Sequence, residues 1–303
     1  MKNEVVIFLH IPKTGGTTLH HILERCYPKD QICNFKSPNH RSEIEKFKRL
    51  APGKREAYRL IKGHLSFGLH RHVPGRSTYI TFLREPIART LSFYYYARSR
   101  PDHYLYPLLK DDHASLKRLL KQHTATTREL FNLQTSMIAG DKWADPERPA
   151  DRAALEQAKQ NLRNHFQVAG LTEDFDLSLG LLSRSFGWKV RFYTKKNVTR
   201  RKSRVETLDG ETQTLLRNAN ALDLELYQFA RELFDSQRRS GDNHGSDRRS
   251  PAPGLGSYLK RVSNIMRRGR SIATKPRARA CPVSDRRPQG GQLPQSAGGR
   301  TGE

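Results

Sequence analysis

Glu4-Val5-Val6-Ile7-Phe8-Leu9 runs without a break into His10-Ile11-Pro12-Lys13-Thr14-Gly15-Gly16-Thr17-Thr18. Apart from Glu4, the first six residues are β-branched, aromatic or leucine, and a Pro–Gly loop ends them, so they predict a buried strand. From Thr17 to Cys26 the apolar residues Leu19, Ile22 and Leu23 recur at helical spacing. Strand, loop and helix in this order make a cradle for an anion. Glycines let backbone N–H groups approach an oxyanion, and the helix N-terminus adds positive partial charge. Lys13 brings a full charge, and Thr14, Thr17 and Thr18 bring hydroxyl donors. A nucleoside-triphosphate loop would need its Lys after the glycines with Ser or Thr next to it; here Lys13 precedes Gly15 and Gly16. A plain Gly-rich connecting turn is the bland alternative, but it has no use for this Lys and these threonines.

Working outward, Arg59–Ile61, Thr78–Leu83, Phe166–Leu171 and Lys189–Tyr193 predict further strands. Pro86 at a helix start is followed by Ile87, Leu91, Tyr94 and Tyr95 at helical spacing. Helical patterns also cover 115–164, broken near Gly140–Pro149, then Asp174–Phe186 and 211–235. Strands alternating with helices predict an α/β fold with a mainly parallel sheet and helices on both faces. Within it, Thr78–Arg98 places Arg84 at a strand end and Ser92 eight residues later on a helix. An Arg there can grip a phosphate through two N–H groups, and a hydroxyl two turns on can complete the pocket. An ion pair of Arg84 with Glu85 or another acid, with Ser92 as a surface hydroxyl, is the alternative. Leu60-Ile61-Lys62-Gly63-His64 ends a strand with a histidine, whose ordinary pKa suits a general base at neutral pH. A structural histidine is its alternative. His70 and His72 form an H-x-H, with no acidic or cysteine ligand at usual spacing, so no metal site is expected.

The 303 residues carry 55 Lys+Arg against 30 Asp+Glu, a net charge of +25, with hydrophobic residues at only 35%. Mean hydropathy is −0.78, which implies that part of the chain buries nothing. Residues 236–303 hold 15 basic and 4 acidic residues among Gly, Pro and Ser, a net +11. Residues 1–235 therefore keep +14 of their own. The expected division is a folded domain over 1–235 and a basic, largely disordered tail over 236–303. Such charge favours polyanions and argues against an acidic Ca²⁺-binding protein. Cys26, Cys33 and Cys281 are odd in number and form no C-x-x-C pair, so neither a disulfide framework nor a zinc module is expected, and free thiols suit a reducing compartment. No run of 18 apolar residues occurs. In the tail, Leu255, Tyr258, Leu259, Val262, Ile265, Met266 and Ile272 recur at helical spacing among basic residues over 255–272. That pattern fits a helix docked on the domain, a chance pattern, or peripheral contact with anionic membrane.

Taken together, IPKTGGTTL and LREPIARTLSFYYYAR resemble the 5′-phosphosulfate loop and 3′-phosphate motif of sulfotransferases that use 3′-phosphoadenosine 5′-phosphosulfate (PAPS). The likeness is greatest to the carbohydrate sulfotransferases that include the heparan sulfate 2-O- and uronyl 2-O-sulfotransferases (sulfotransferase family 2). It covers residues 4–235, strongly to 98, with echoes in Asn132-Leu133-Gln134-Thr135, VAGLTEDFDLSL and LYQFARELF. The resemblance implies a P-loop-like three-layer fold and transfer of a sulfuryl group from PAPS to a hydroxyl, that of a saccharide, without metal. It further implies that Pro12, Lys13, Thr14, Gly15, Gly16, Thr17, Thr18, Arg84 and Ser92 hold the donor. Thr199, in the basic loop Lys195–Arg201, joins them unless that run is only a solvated surface. It implies that Lys13 stabilises the leaving phosphate and His64 takes the acceptor's proton. The 2-O group carries His-Gly-His where this chain has Lys62-Gly63-His64, so the role of the first His is lost or passes to Lys62. Golgi members begin with a membrane anchor; this chain shows none, which predicts a soluble bacterial-type enzyme, cytoplasmic or peripheral at the inner membrane face. The rivals are a P-loop-like kinase using ATP and a non-catalytic polyanion- or membrane-binding protein. No base-reading module supports specific nucleic-acid recognition.

Overall fold

In the computed structural model, the described residues are 4–35, 40–109, 114–143, 145, 148–190 and 208–243. Thr199 and its loop, residues 191–193 of the fifth expected strand, and the 255–272 pattern lie outside them.

Five strands form one sheet: β1 (Val5–Leu9), β2 (Ile32–Phe35), β3 (Leu60–Gly63), β4 (Ser77–Leu83) and β5 (Phe166–Leu171). Their order is β2-β3-β1-β4-β5, and every pairing is parallel. All five residues of β1 are buried. Successive strand side chains point to opposite faces, so full burial requires cover on both sides. The helices supply it: α1 (Gly16–Leu23), α2 (His40–Arg49), α3 (Pro52–Arg55), α4 (Pro86–Arg98), α5 (Tyr106–Leu109), α6 (Ala114–Leu120), α7 (Leu133–Ala139), α8 (Arg152–His165), α9 (Phe175–Phe186), α10 (Gly210–Ala219) and α11 (Ala221–Asn243). The result is the α/β architecture that the alternating pattern predicts, in the three layers that the P-loop-like resemblance implies. The sheet, expected to be mainly parallel, is wholly so among the described residues. Lys189 and Val190, placed on a strand by the sequence pattern, belong to none.

The main core packs against the sheet and includes Ile7, Leu9, Leu19, Ile80, Phe82, Leu155 and Phe234. A second apolar cluster joins α4 to α5, α6 and α10 through Ile87, Leu91, Tyr94, Leu109, Leu120 and Leu216. The chain steps from β3 across β1 to β4, so strand order reverses at β1. In open parallel sheets, ligands bind beyond the carboxyl ends of the strands at such a reversal. The loops leaving β3, β1 and β4 therefore share one edge, with His64, His10–Gly15 and Arg84 following directly on these neighbouring strands.

Candidate active site

The loop after β1 turns twice through the left-handed region, at Lys13 (φ 72°) and Gly15 (φ 79°). At Gly15, which precedes the first residue of α1, glycine removes the usual penalty of that conformation; at Lys13 the penalty stays. Gly16 answers a different need. A Cβ there would stand 1.8 Å from Nε2 of His10, so the second glycine makes room for that ring beneath the first turn of α1. Thr14 is fully buried and donates to the carbonyl of Ile11 at 2.9 Å, closing the loop on itself. Thr172 Oγ1 lies 2.8 Å from the carbonyl of Thr14 and 2.9 Å from that of Leu83, tying the β1 loop to the end of β4. Thr18 is buried in the first turn of α1, Thr17 is exposed, and Pro12 is half-buried.

Arg84 leaves β4 and donates through Nη1 to the carbonyl of Lys13 at 3.0 Å. Of its alternative partners, Glu85 is engaged elsewhere: its carboxylate caps α4, accepting from the N–H groups of Ile87 and Ala88. Gln134, fully buried, holds the Arg84 backbone from both sides, accepting from its N–H at 3.0 Å and donating to its carbonyl at 2.9 Å. Ser92 stands half-buried on α4, one turn before Tyr96 on the same face. The Nζ of Lys13 sits 4.1 Å above the Tyr96 ring, and the guanidinium of Arg100 lies 5.4 Å from the same ring. Burial, then the charges of Arg84 and Arg100, pull the Lys13 ammonium down from its ordinary 10.5 to about 8. Like charges thus converge on this end of the sheet, the arrangement expected of a site that awaits an anion.

His64 follows β3. Its Nδ1 is 2.9 Å from the carbonyl of His10, and its ring stacks on the His10 ring at 4.4 Å and 24°. A carbonyl only accepts, so Nδ1 carries the proton and Nε2 keeps its lone pair. Among the described residues no hydrogen bond is made to that Nε2. Burial lowers the His64 pKa below 6.5, against the opposing effects of the His10 carbonyl and the Glu129 charge. The imidazole is therefore neutral and available as a proton acceptor at pH 7. His70, by contrast, sits with Nδ1 3.1 Å from the Tyr79 hydroxyl. Among the described residues no group of three or more His, Cys, Asp or Glu could hold a metal ion.

The structure thus groups Pro12–Thr18, Arg84 and His64 on three adjacent strand ends and leaves Thr199 outside the described residues. Tyr96, Arg100 and His10 escape the motif reading, although Tyr96 lies four residues beyond Ser92, a helical-face signal in the sequence itself. The three weak echoes prove to be supports. Gln134 comes from the first and Thr172 from the second. From the third, Tyr227 donates to Glu173 at 2.8 Å, and Glu173 accepts from the N–H of Glu85 at 3.0 Å.

A family model of galactose-3-O-sulfotransferase matches residues 1–246. Heparan-sulfate 6-O-sulfotransferase 1-B of Danio rerio is 28% identical over 298 residues, covering 81% of this chain and 69% of its own. Galactose-3-O-sulfotransferase 3 of Mus musculus is 30% identical over 264 residues, with 77% and 57% covered. Heparan-sulfate 6-O-sulfotransferase 2 of Homo sapiens is 29% identical over 279 residues, with 77% and 45% covered. The chain accordingly spans between 45% and 69% of the length of these relatives. A crystal structure of a mouse sulfotransferase complexed with PAP superposes at TM-score 0.36 and 15% identity, over 72% of this chain and 65% of that one. The carbohydrate-sulfotransferase resemblance holds; the branches matched are 3-O and 6-O, where the motifs alone favoured 2-O.

Proposed function

Because the chain belongs to the galactose-3-O-sulfotransferase family, we propose that it transfers a sulfuryl group from PAPS to a saccharide hydroxyl. The observation that carries this is the convergence, on three adjacent strand ends, of an anion loop, an Arg and a neutral histidine whose Nε2 accepts no hydrogen bond among the described residues. The names of the matched relatives, galactose-3-O- and heparan-sulfate 6-O-sulfotransferases, support a saccharide as acceptor.

In this reading Lys13, the Thr17 and Thr18 hydroxyls and the first-turn N–H groups of α1 hold the phosphosulfate end of the donor, while Thr14, its hydroxyl donated to the Ile11 carbonyl, holds the loop's shape. Arg84 exchanges its bond to the Lys13 carbonyl for the 3′-phosphate, with Ser92 completing that pocket. His64 Nε2 takes the proton from the acceptor hydroxyl as that oxygen forms its bond to sulfur. The bond from sulfur to the phosphate oxygen breaks, and the electron pair leaves with 3′-phosphoadenosine 5′-phosphate (PAP). Lys13 meets the charge appearing on that oxygen, which is stabilisation placed where charge develops. The Lys13–Gly16 order, lacking a Lys-Ser/Thr pair after the glycines, separates this loop from that of an ATP-using kinase.

Titration calorimetry with PAP in the presence of EDTA tests the donor assignment. Saturable one-site binding that weakens at least tenfold when the 3′-phosphate is removed, and likewise in Arg84→Ala, is expected. Equal binding of PAP and adenosine 5′-monophosphate, or tighter binding of ATP with Mg²⁺, refutes it.

A further inference from the structure

Behind His64 lies a chain of polar groups, Lys62 and His10 buried, His20 half-buried and Glu24 exposed, that sulfuryl transfer as described above does not use. Lys62, on β3 between β2 and β1, is 1% exposed. Its Nζ is 2.6 Å from Oε1 of Glu24 and 3.0 Å from Nδ1 of His20. Nε2 of His20 lies 3.0 Å from Nδ1 of His10. The backbone N–H of His10 donates to the carbonyl of Gly63 at 3.0 Å, and the His10 carbonyl accepts from His64. Three elements contribute: Lys62 from β3, Glu24 and His20 from α1 and its end, His10 from the close of β1.

Bond polarity orders this chain in one direction. An ammonium only donates, so the Lys62 contact makes Nδ1 of His20 an acceptor. His20 is held neutral, its pKa lowered to about 3 by burial and then by the Lys62 charge. Its single proton is therefore on Nε2, donated to Nδ1 of His10. His10, also held neutral by burial and by its cationic and imidazole neighbours, must then carry its proton on Nε2, the atom that faces Gly16. One cation at the start of the chain thus fixes two tautomers and two ring orientations. The last ring is the one on which the base stacks, and its own carbonyl is the one that orients the base.

We propose that Lys62 is a positioning residue for the base: through His20 and His10 it holds a single ring orientation against which His64 keeps its Nδ1–H tautomer. This rests on His64 acting as the base, and it gives a task to the lysine that occupies the first position of Lys62-Gly63-His64. Partners that orient a reactive imidazole from behind are worth about 10–100-fold in the metal sites where such losses have been measured. Lys62→Met is accordingly expected to lower kcat at least tenfold while leaving the Kd for PAP within twofold.

The test uses nitrogen-detected NMR of the histidine rings in the wild-type protein, assigned with His10→Asn and His20→Asn, beside the kinetics of Lys62→Met. Protons on Nε2 of His20 and His10 and on Nδ1 of His64 are expected. In Lys62→Met, His20 should show a mixture of tautomers, with the drop in kcat described. A proton on Nδ1 of His20 or His10 in the wild type overturns the proposal even if Lys62→Met fails to fold. So does a folded Lys62→Met with unchanged kcat, or one that loses PAP binding in step with rate, which marks a merely structural lysine. Failure of the base assignment itself reads differently: His64→Ala would then keep normal turnover, whatever the tautomers of His20 and His10.

Discussion

Replacing Lys13 by Met should stabilise the free protein while abolishing its chemistry. The Lys13 pKa, pulled from 10.5 to about 8, corresponds at about 1.4 kcal/mol per unit to a ceiling of about 3.5 kcal/mol of unfavourable interaction for the charged form. The side chain is only part-buried, and solvent screening cuts that to about 1.5–2 kcal/mol. Loss of the contact between Nζ and the Tyr96 ring offsets about 0.5–1 kcal/mol. Met keeps the left-handed backbone at φ 72°, so that cost cancels in the comparison. The net expectation is a gain of about 1 kcal/mol at pH 7 from urea denaturation. The pH dependence sharpens this. Below pH 8 Lys13 is protonated in both folded and unfolded chains, and the penalty is fully present. Between about 8 and 10.5 the unfolded chain binds more protons, so wild-type stability rises with pH relative to Lys13→Met. The advantage of the variant should therefore shrink across that interval. A variant less stable than wild type by more than about 1 kcal/mol at pH 7, or a difference that does not change with pH, would refute the electrostatic account of the loop.

Other consequences follow from the same geometry. His64→Ala should lower turnover about 10²–10⁴-fold while leaving PAP affinity nearly intact. Because burial lowers the His64 pKa, wild-type turnover should fall on the acid side with a midpoint below 6.5; a midpoint above 7 contradicts the environment described. Gly16→Ala drives a methyl group into His10, and should cost about 1–3 kcal/mol in thermal or urea unfolding as the ring is displaced. Gln134→Leu removes both hydrogen bonds that hold the Arg84 backbone and should weaken PAP binding about fivefold or more by calorimetry, at about 1 kcal/mol for the weaker placement of Arg84.

Much of this site was legible in the sequence because its informative residues lie close together in the chain. The β1 strand, its glycines and Lys13 occupy 12 consecutive positions, and Arg84 and Ser92 lie on one strand-to-helix unit. Signals carried by long-range contact were not legible. Gln134 and Arg84 are 50 positions apart, and no local pattern announces that one clamps the other. Lys62 looks like a break in an apolar strand until Glu24 and His20 are seen across from it. The β2 strand escaped notice because, at the sheet edge, only Phe35 of its four residues is buried, so alternation has little to mark. Helix α2 is missed for a like reason: Phe47 is its sole buried residue. The weak echoes were visible as similarity but not as roles, since Thr172 and Glu173 act on the backbones of other loops.

The measurement that bears most directly on the central claim is sulfuryl transfer itself. Protein freed of metal by EDTA is incubated with ³⁵S-labelled PAPS and a panel of galactose-terminated glycans, heparan-type chains and small phenols. Label in a saccharide, one PAP released per sulfate gained, and transfer lowered at least about 100-fold in Lys13→Met and in His64→Ala are expected. PAP release without label in any saccharide, or undiminished transfer by both variants, contradicts the claim.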